Sequence, residues 1–371
     1  MIFFQGDFIL CLTPTGEIRW KVFLESVAGM YPIALSNIVV DRQGTLYYTV
    51  GWSGDQVFTA KACQISQANT TRPVQKCIQN YNLISASGAP LALNEKYGQL
   101  ITAVDDNKFE SVPAVVNKTD LSLFWINRHV FGARSNQNYR CDFQSGDIFW
   151  FGGDDRFVKF DYSGQKLIEN FTVNSLVGRD FVLNHEQQII VVPWQDATHL
   201  PWKLLVSSFD VSNRNIKLRW TWHALSQIAN NDDVTPPTMD SNGTVFMSSM
   251  PLAFAIDHIG KLKWTSELAT SSEMKQYNLI AYCIAMNSNR RVLYILSGSS
   301  RIQKSNSLFF ISVVNMDSGK ILKRIELDVA KNQLVLPQCP ILIGNEIFYF
   351  AWLTGEYPNL VPFHVTAFAQ L

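Results

Sequence analysis

The feature that most limits what this chain can fold into is a strand-turn-strand grammar that recurs along it. "LCLTPTGEIRW" (10–20), "KFDYSGQKLIENF" (159–171), "SFDVSNRNIKLRW" (208–220), "AIDHIGKLKW" (255–264) and "VVNMDSGKILKRI" (313–325) each read as an alternating strand, a tight turn of Asp, Ser, Asn or Gly, and a second strand. Gly supplies the positive φ that such hairpin turns need. Upstream of each hairpin comes a second strand pair with its own turn, as in "VDRQGTLYYTV" (40–50), "NEKYGQLITAV" (94–104), "FQSGDIFWFGG" (143–153), "MDSNGTVFMSS" (239–249) and "LIGNEIFYFAW" (342–352).

Each unit is therefore four short strands, A to D. Full units are expected over 30–81, 86–132, 136–175, 178–227, 230–271 and 275–330, with partial units at 1–25 (end of B, then C and D) and 332–371 (A, B and C). Four-stranded units of this length, with almost no helical periodicity, predict an all-β chain folded as one β-propeller domain over 1–371. Radial repetition leaves only short edges where a flat sheet of this size would leave long ones. Eight four-stranded blades with an incomplete first and last is the preferred count, and seven closed by a strand from the opposite terminus is the alternative.

The composition suits a large β core: 47% hydrophobic and 12% aromatic residues against 17% charged. With 31 basic and 31 acidic residues the net charge is +0, so no field draws in nucleic acid or an anionic membrane. No apolar run approaches a membrane-spanning length, and "MIFFQGDFIL" lacks the basic and apolar regions of a signal peptide. A chain starting inside a B strand is expected to be a truncated product.

Ala255-x-Asp257-x-x-Gly260-x-x-x-Trp264 resembles the repeat of the pyrroloquinoline-quinone-like β-propeller superfamily, whose blades carry Ala-x-Asp, a Gly turn and a docking Trp. Half of it recurs as Gly16 to Trp20, Trp220 ends the same strand after an altered turn, and the Asp returns as Asp161 and Asp210. All three residue types have structural work here. The Asp accepts turn N–H groups, the Gly takes a φ other residues avoid, and the Trp lays apolar surface on the neighbouring blade.

Among six cysteines none forms Cys-x-x-Cys. Cys63 in "QVFTAKACQI" and Cys77 in "VQKCIQNY" are symmetric about the polar turn "SQANTTRP", so they face each other across a hairpin and are expected to be bridged. Cys77 is expected at the place other units give to the docking Trp. Sequons stand at Asn69 on that same turn, and at Asn117, Asn170 and Asn242. Disulfide and sequons together predict an oxidising compartment: extracellular, luminal or periplasmic. Cys141, Cys283 and Cys339 occupy similar places on A strands, where they either pack or line the channel.

Quinoprotein dehydrogenases of the superfamily carry a vicinal disulfide over the quinone, a calcium or lanthanide held by Glu, Asn and Asp, and an Asp base. This chain has no adjacent cysteines, and "VDDNKFE" (104–110), "GGDDRF" (152–157) and "NNDD" (230–233) match no calcium loop. Nor does it carry HExxH, Gly-x-Ser-x-Gly or a P-loop. The sequence therefore leans away from an enzyme, with no catalytic or metal residue assigned and no cofactor expected.

Trp52, Trp194 and Trp352 each end a B strand near a carboxylate, and "DATHLPW" adds His199 and Trp202 in a long loop. Such aromatic platforms suit a protein or glycan partner. The first expectation is a non-catalytic exported propeller acting as a binding scaffold, as the resemblance implies for envelope-assembly and luminal-sensor propellers. A degenerate quinoprotein dehydrogenase holding pyrroloquinoline quinone with calcium in its channel, and a glycan-binding propeller, are the alternatives.

Overall fold

The computed structural model describes residues 2–5, 8–13, 17–24, 31–35, 38–53, 58–68, 70–81, 91–105, 111–127, 138–152, 156–172, 180–196, 203–213, 216–224, 234–300, 307–327, 336–337, 341–343, 347–353 and 363–369. Its strands form eight antiparallel sheets in chain order. Sheet 1 holds Ile2–Gln5, Phe8–Leu12 and Ile18–Phe23. Sheet 2 runs from Tyr31–Leu35 and Val39–Val40 through Leu46–Ser53 and Phe58–Ser66 to Val74–Tyr81. Sheet 3 comprises Ala92–Asn94, Gln99–Asp105, Ser111–Asn117 and Leu123–Ile126; sheet 4, Asn138–Cys141, Ile148–Gly152, Arg156–Phe160 and Lys166–Thr172. Sheet 5 comprises Val182–Asn184, Ile189–Asp196, Lys203–Asp210 and Lys217–His223; sheet 6, Thr238–Met239, Val245–Ser249, Leu252–Ile256 and Leu262–Glu267. Sheet 7 comprises Leu279–Asn287, Val292–Ser299, Phe309–Asn315 and Ile321–Glu326; sheet 8, Leu336–Pro337, Ile341–Ile343, Ile347–Leu353 and Phe363–Ala369.

Each complete sheet is a meander in which A, B, C and D pair in sequence order. A strands of sheets 2 and 3, 3 and 4, 5 and 6, 6 and 7, and 7 and 8 lie against each other, from Val39–Val40 against Ala92–Asn94 to Leu279–Asn287 against Ile341–Ile343. Inner strands set side by side from sheet to sheet are the arrangement of a β-propeller. Seven sheets contain four or more strands, which is the count of the seven-blade alternative; sheet 1 stands beside them with three.

The core is a series of apolar layers between neighbours, because a strand shows alternate side chains to its two faces. In sheet 6, Val245, Met247, Phe254 and Ile256 face sheet 5, whereas Phe246, Ala253, Ala255 and Trp264 face sheet 7. The other layers join sheets 1 and 2 around Tyr48, 2 and 3 around Tyr47, 3 and 4 around Trp150, and 4 and 5 around Phe149 and Phe181.

The opening repeat now has its physical explanation. A bulge between Ala255 and Ile256 turns Trp264 toward the next sheet. Its indole N–H donates to the Met316 carbonyl at 2.9 Å, and its ring lies over Gly319, where a Cβ would come within 2.7 Å of it. Trp220 repeats this on sheet 6, donating to His258 O at 3.0 Å over Gly260, and Trp125 on sheet 4, donating to Tyr162 O at 3.2 Å over Gly164. Gly is needed in the receiving turn for closeness as well as for its φ of +72 to +87°. Trp20 docks on sheet 2 by donating to Ala68 O at 2.7 Å, over a longer turn.

One expectation is corrected. Cys77 does not take the docking place. It sits in the layer between sheets 1 and 2 with Cys63 and Trp20, so it faces the sheet that docks onto it. Strand alternation then turns Ile78 to sheet 3, while Lys76, opposite Gln64, is exposed. Cys283 is buried in an apolar cluster of sheet 7 and Cys141 packs at the edge of the layer between sheets 3 and 4, so both are packing residues. Burial pushes the Cys141 thiol up to about 12, with Asp142 and Asp147 adding to it. Cys339 lies outside the described residues.

Candidate functional site

Antiparallel meanders sort the connections onto two edges of the ring. All A–B and C–D turns emerge at one edge, and all B–C and D–A connections at the other.

The tight-turn edge is built from Asp and Asn at the end of each A strand. Asp41 Oδ1 accepts from the Gln43 and Thr45 N–H groups of its own turn at 3.0 and 2.8 Å. Its Oδ2 accepts from the Tyr47 hydroxyl at 3.0 Å and from Lys118 of sheet 3 at 3.1 Å. Lys118 also reaches Glu95 at 3.3 Å. Asp142 repeats the pattern: its carboxylate takes Gln144 N–H at 2.9 Å and the Ser145 hydroxyl at 2.9 Å, then Gln188 Nε2 at 2.6 Å and His185 Nδ1 at 3.3 Å from sheet 5. Asp240 takes Asn242 and Thr244 N–H groups at 3.0 and 2.9 Å and Arg291 of sheet 7 at 3.4 Å.

These contacts decide the charge states. Burial alone would raise the Asp41 carboxyl, but the Thr45 N–H, Lys118 and Tyr47 outweigh it and hold its pKa below the ordinary carboxylate value. Asp142 is likewise raised by burial and lowered further by Gln144, Ser145, Gln188 and His185, for a net lowering. Burial and the neighbouring Asp41 push the Tyr47 phenol up. Lys118 would be lowered by burial, yet Asp41 and Glu95 leave it raised. The carboxylates of Asp41, Asp142 and Asp240 are thus held by their own turns and by the next sheet.

At the other edge the D strands end and the next A strands begin: Tyr81 and Ala92, Ile126 and Asn138, Thr172 and Val182, His223 and Thr238, Glu326 and Leu336. Here Ser271–Tyr277 forms the one helix among the described residues. Thr270 caps it with Glu273 in a capping box, and Asn278 ends it in the left-handed region at φ 46°. Arg324 of sheet 7 reaches Glu273 at 2.7 Å and lies 3.8 Å over the Phe310 ring.

Of the aromatic residues singled out by the sequence, Trp194 has a described side chain. Trp194 is half-buried, and its indole N–H donates to Ser207 Oγ at 2.8 Å within its own sheet; Ser207 in turn meets Thr221 at 2.9 Å. Trp52 pairs with Thr59 and Trp352 with His364 near the ends of their B strands. His199 and Trp202 lie outside the described residues.

Cys63 and Cys77 are directly opposed and bridged, with an S–S distance of 2.06 Å and Cα atoms 4.1 Å apart. Of the sequons, Asn242 is exposed on an A–B turn, while Asn117 Oδ1 accepts the Thr119 N–H at 2.9 Å. Asn170 lies on the outer strand Lys166–Thr172, and Asn69 lies outside the described residues.

Among the described residues no three His, Cys, Asp or Glu side chains converge. Asp154, Asp155 and Asn230 to Asp233 lie outside them.

The sequence matches no protein-family model and no curated protein. The fold does have relatives among solved structures. BamB from Moraxella catarrhalis superposes with a TM-score of 0.54 at 13% identity, over 94% of this chain and 92% of that one. A chain of the nidogen/laminin complex gives a TM-score of 0.38 at 12% identity, over 71% of this chain and 89% of that one. The BamB likeness, over 94% of the chain, identifies the fold as a β-propeller.

Proposed function

We propose that the chain is a non-catalytic propeller scaffold that works in an oxidising compartment and binds a protein partner through its long-connection edge. The observation that carries the reading is the contrast between the two edges. On one, the turn carboxylates are spent on their own N–H groups and on the next sheet. On the other, the connections are long and the B strands end in Trp52, Trp194 and Trp352. Long loops on a rigid frame are where binding residues concentrate. The Cys63–Cys77 bridge and the sequons at Asn69, Asn117, Asn170 and Asn242 support an extracellular, luminal or periplasmic site of action.

Site-specific crosslinking tests the edge. A photo-reactive residue in place of Trp52 or Trp352 is expected to trap one specific protein, and the same residue in place of Asn242 or Ser318 is expected to trap none. Trapping confined to the tight-turn positions would reverse the assignment. A glycan is the second reading, favoured by the same B-strand tryptophans; Trp194→Ala leaving affinity for every tested glycan unchanged would remove it. Native mass spectrometry with added quinone and calcium separates both from the dehydrogenase alternative, for which a retained adduct would be required.

A further inference from the structure

The chemistry between neighbouring sheets alternates around the ring. Indole docking joins sheets 1 and 2 through Trp20, 3 and 4 through Trp125, and 5 and 6 through Trp220. In sheets 2 and 4 the corresponding D-strand places hold Lys76 and Ile168, so no indole crosses to sheets 3 and 5. Those seams carry charge instead. Ion pairs cross from one sheet to the next at 2–3, 4–5 and 6–7: Asp41 with Lys118, Asp142 with His185, Arg140 with Asp180, and Asp240 with Arg291.

The A–B turns show the same period. Asp ends the A strand of sheets 2, 4 and 6 as Asp41, Asp142 and Asp240, and Asn takes that place in sheets 3, 5 and 7 as Asn94, Asn184 and Asn287. Asn184 and Asn287 serve their own turns, Asn184 accepting from Glu186 and Gln187 N–H and Asn287 from Arg290 N–H, whereas Asn94 donates to Gln99 Oε1 and across to Gly146 O of sheet 4, both at 3.0 Å. In sheets 5 and 7 the turn residue at positive φ is Gln188 or Arg291, and each sends its side chain back to the preceding Asp. A non-Gly residue in that conformation is uncommon, which ties the choice to the contact it makes.

We infer that the ring is built from two-sheet units, 1–2, 3–4 and 5–6, each closed by indole docking and joined to the next by carboxylate ties. Parting a charged seam lets water solvate both ions, which returns part of their desolvation cost. Parting an indole seam exposes apolar surface that gains nothing from water. Seams 2–3 and 4–5 therefore open before 1–2, 3–4 and 5–6. Seam 6–7 has both devices, Trp264 and Asp240–Arg291, and the largest apolar layer among the described residues, so it opens last.

Hydroxyl-radical footprinting of the intact secreted chain in increasing urea tests the order, because each seam buries its own aromatic reporter. These are Tyr47 for 2–3, Phe181 for 4–5, Tyr48 for 1–2, Trp150 for 3–4, Trp222 for 5–6 and Phe246 for 6–7. With rates scaled to the unfolded chain, Tyr47 and Phe181 are expected to reach half-maximal oxidation at lower urea than Tyr48, Trp150 and Trp222, and Phe246 at the highest. Asp142→Asn should advance Phe181 and leave Trp222 in place. One common transition for all six, an indole seam opening first, or an Asp142→Asn shift shared by every reporter would overturn the two-sheet unit; the wild-type series decides even if the variant does not fold.

Discussion

Trp20 and Trp264 hold the same register in sheets 1 and 6, each just past a bulge, yet they dock on turns made in different ways. Under Trp264 the turn is short and self-contained: Gly319 N–H donates to Asn315 O at 2.9 Å, Asn315 Oδ1 takes Asp317 and Ser318 N–H groups, and the Ser266 hydroxyl bonds Gly319 O. Under Trp20 the turn is longer. Gln67 takes φ 55°, Thr70 bonds back to Gln67 O, and the Cys63–Cys77 bridge closes the strands behind. Both arrangements present a carbonyl to an indole N–H. A glycine turn fixes that carbonyl by local hydrogen bonds, whereas the longer turn relies on a covalent tie a few residues away. The redox state of the surroundings is thereby part of the seam between sheets 1 and 2, and has no such hold on the seam between 6 and 7.

The largest effect that sharpens this contrast is Trp264→Ala, expected to cost about 3–5 kcal/mol in urea unfolding, the range for a buried aromatic truncated in a core. Removal of the bridge by Cys63→Ser with Cys77→Ser comes next, at roughly 3 kcal/mol for a loop of this length. In that double variant Trp20→Ala should cost less than in the bridged protein, while Trp264→Ala should cost the same. Equal coupling at both indoles would break the comparison. Gly319→Ala is expected to cost about 1–2 kcal/mol more than Gly44→Ala, because both turns need positive φ but only at Gly319 would the new methyl meet an indole.

The smallest effect is a pH dependence. Asp41 and Asp142 have folded pKa values below their unfolded ones. Their contribution is present above the ordinary carboxylate pKa and is lost as pH falls through the lowered folded values. Asp180 runs the other way: burial raises it despite Arg140, so its ionisation disfavours the fold and acid relieves it. Lys118, with its raised pKa, loses its contribution only as alkaline pH passes its folded value. Asp41→Asn should flatten the acid limb of the stability curve, and an unchanged limb would show that the tie to Lys118 contributes nothing.

The propeller was legible because its signals are local: period-two strands, turns of Asp, Asn and Gly, and a Trp four residues after Gly16 or Gly260. The cysteine bridge was legible for the same reason, from symmetry about one turn. The carboxylate ties were not, because Asp41 and Lys118 lie 77 residues apart and no spacing links them. The face of Cys77 was misassigned because a bulge moves every later side chain to the opposite face. The other D strands shift register close to the turn, as between Ala255 and Ile256; sheet 2 shifts farther along, between Ala60 and Ala62. Trp194 has the look of an open platform in the sequence, and only the pairing of its strand with Lys203–Asp210 reveals that Ser207 takes its N–H.

Peptide mapping of chain expressed through a secretory pathway, paired with urea unfolding before and after reduction, tests the central claim most directly. The account predicts a Cys63–Cys77 crosslinked peptide and, on reduction, a loss of roughly 3 kcal/mol with Trp20 exposed ahead of Trp264. Free thiols at both positions, or a reduced chain as stable as the bridged one, would contradict it.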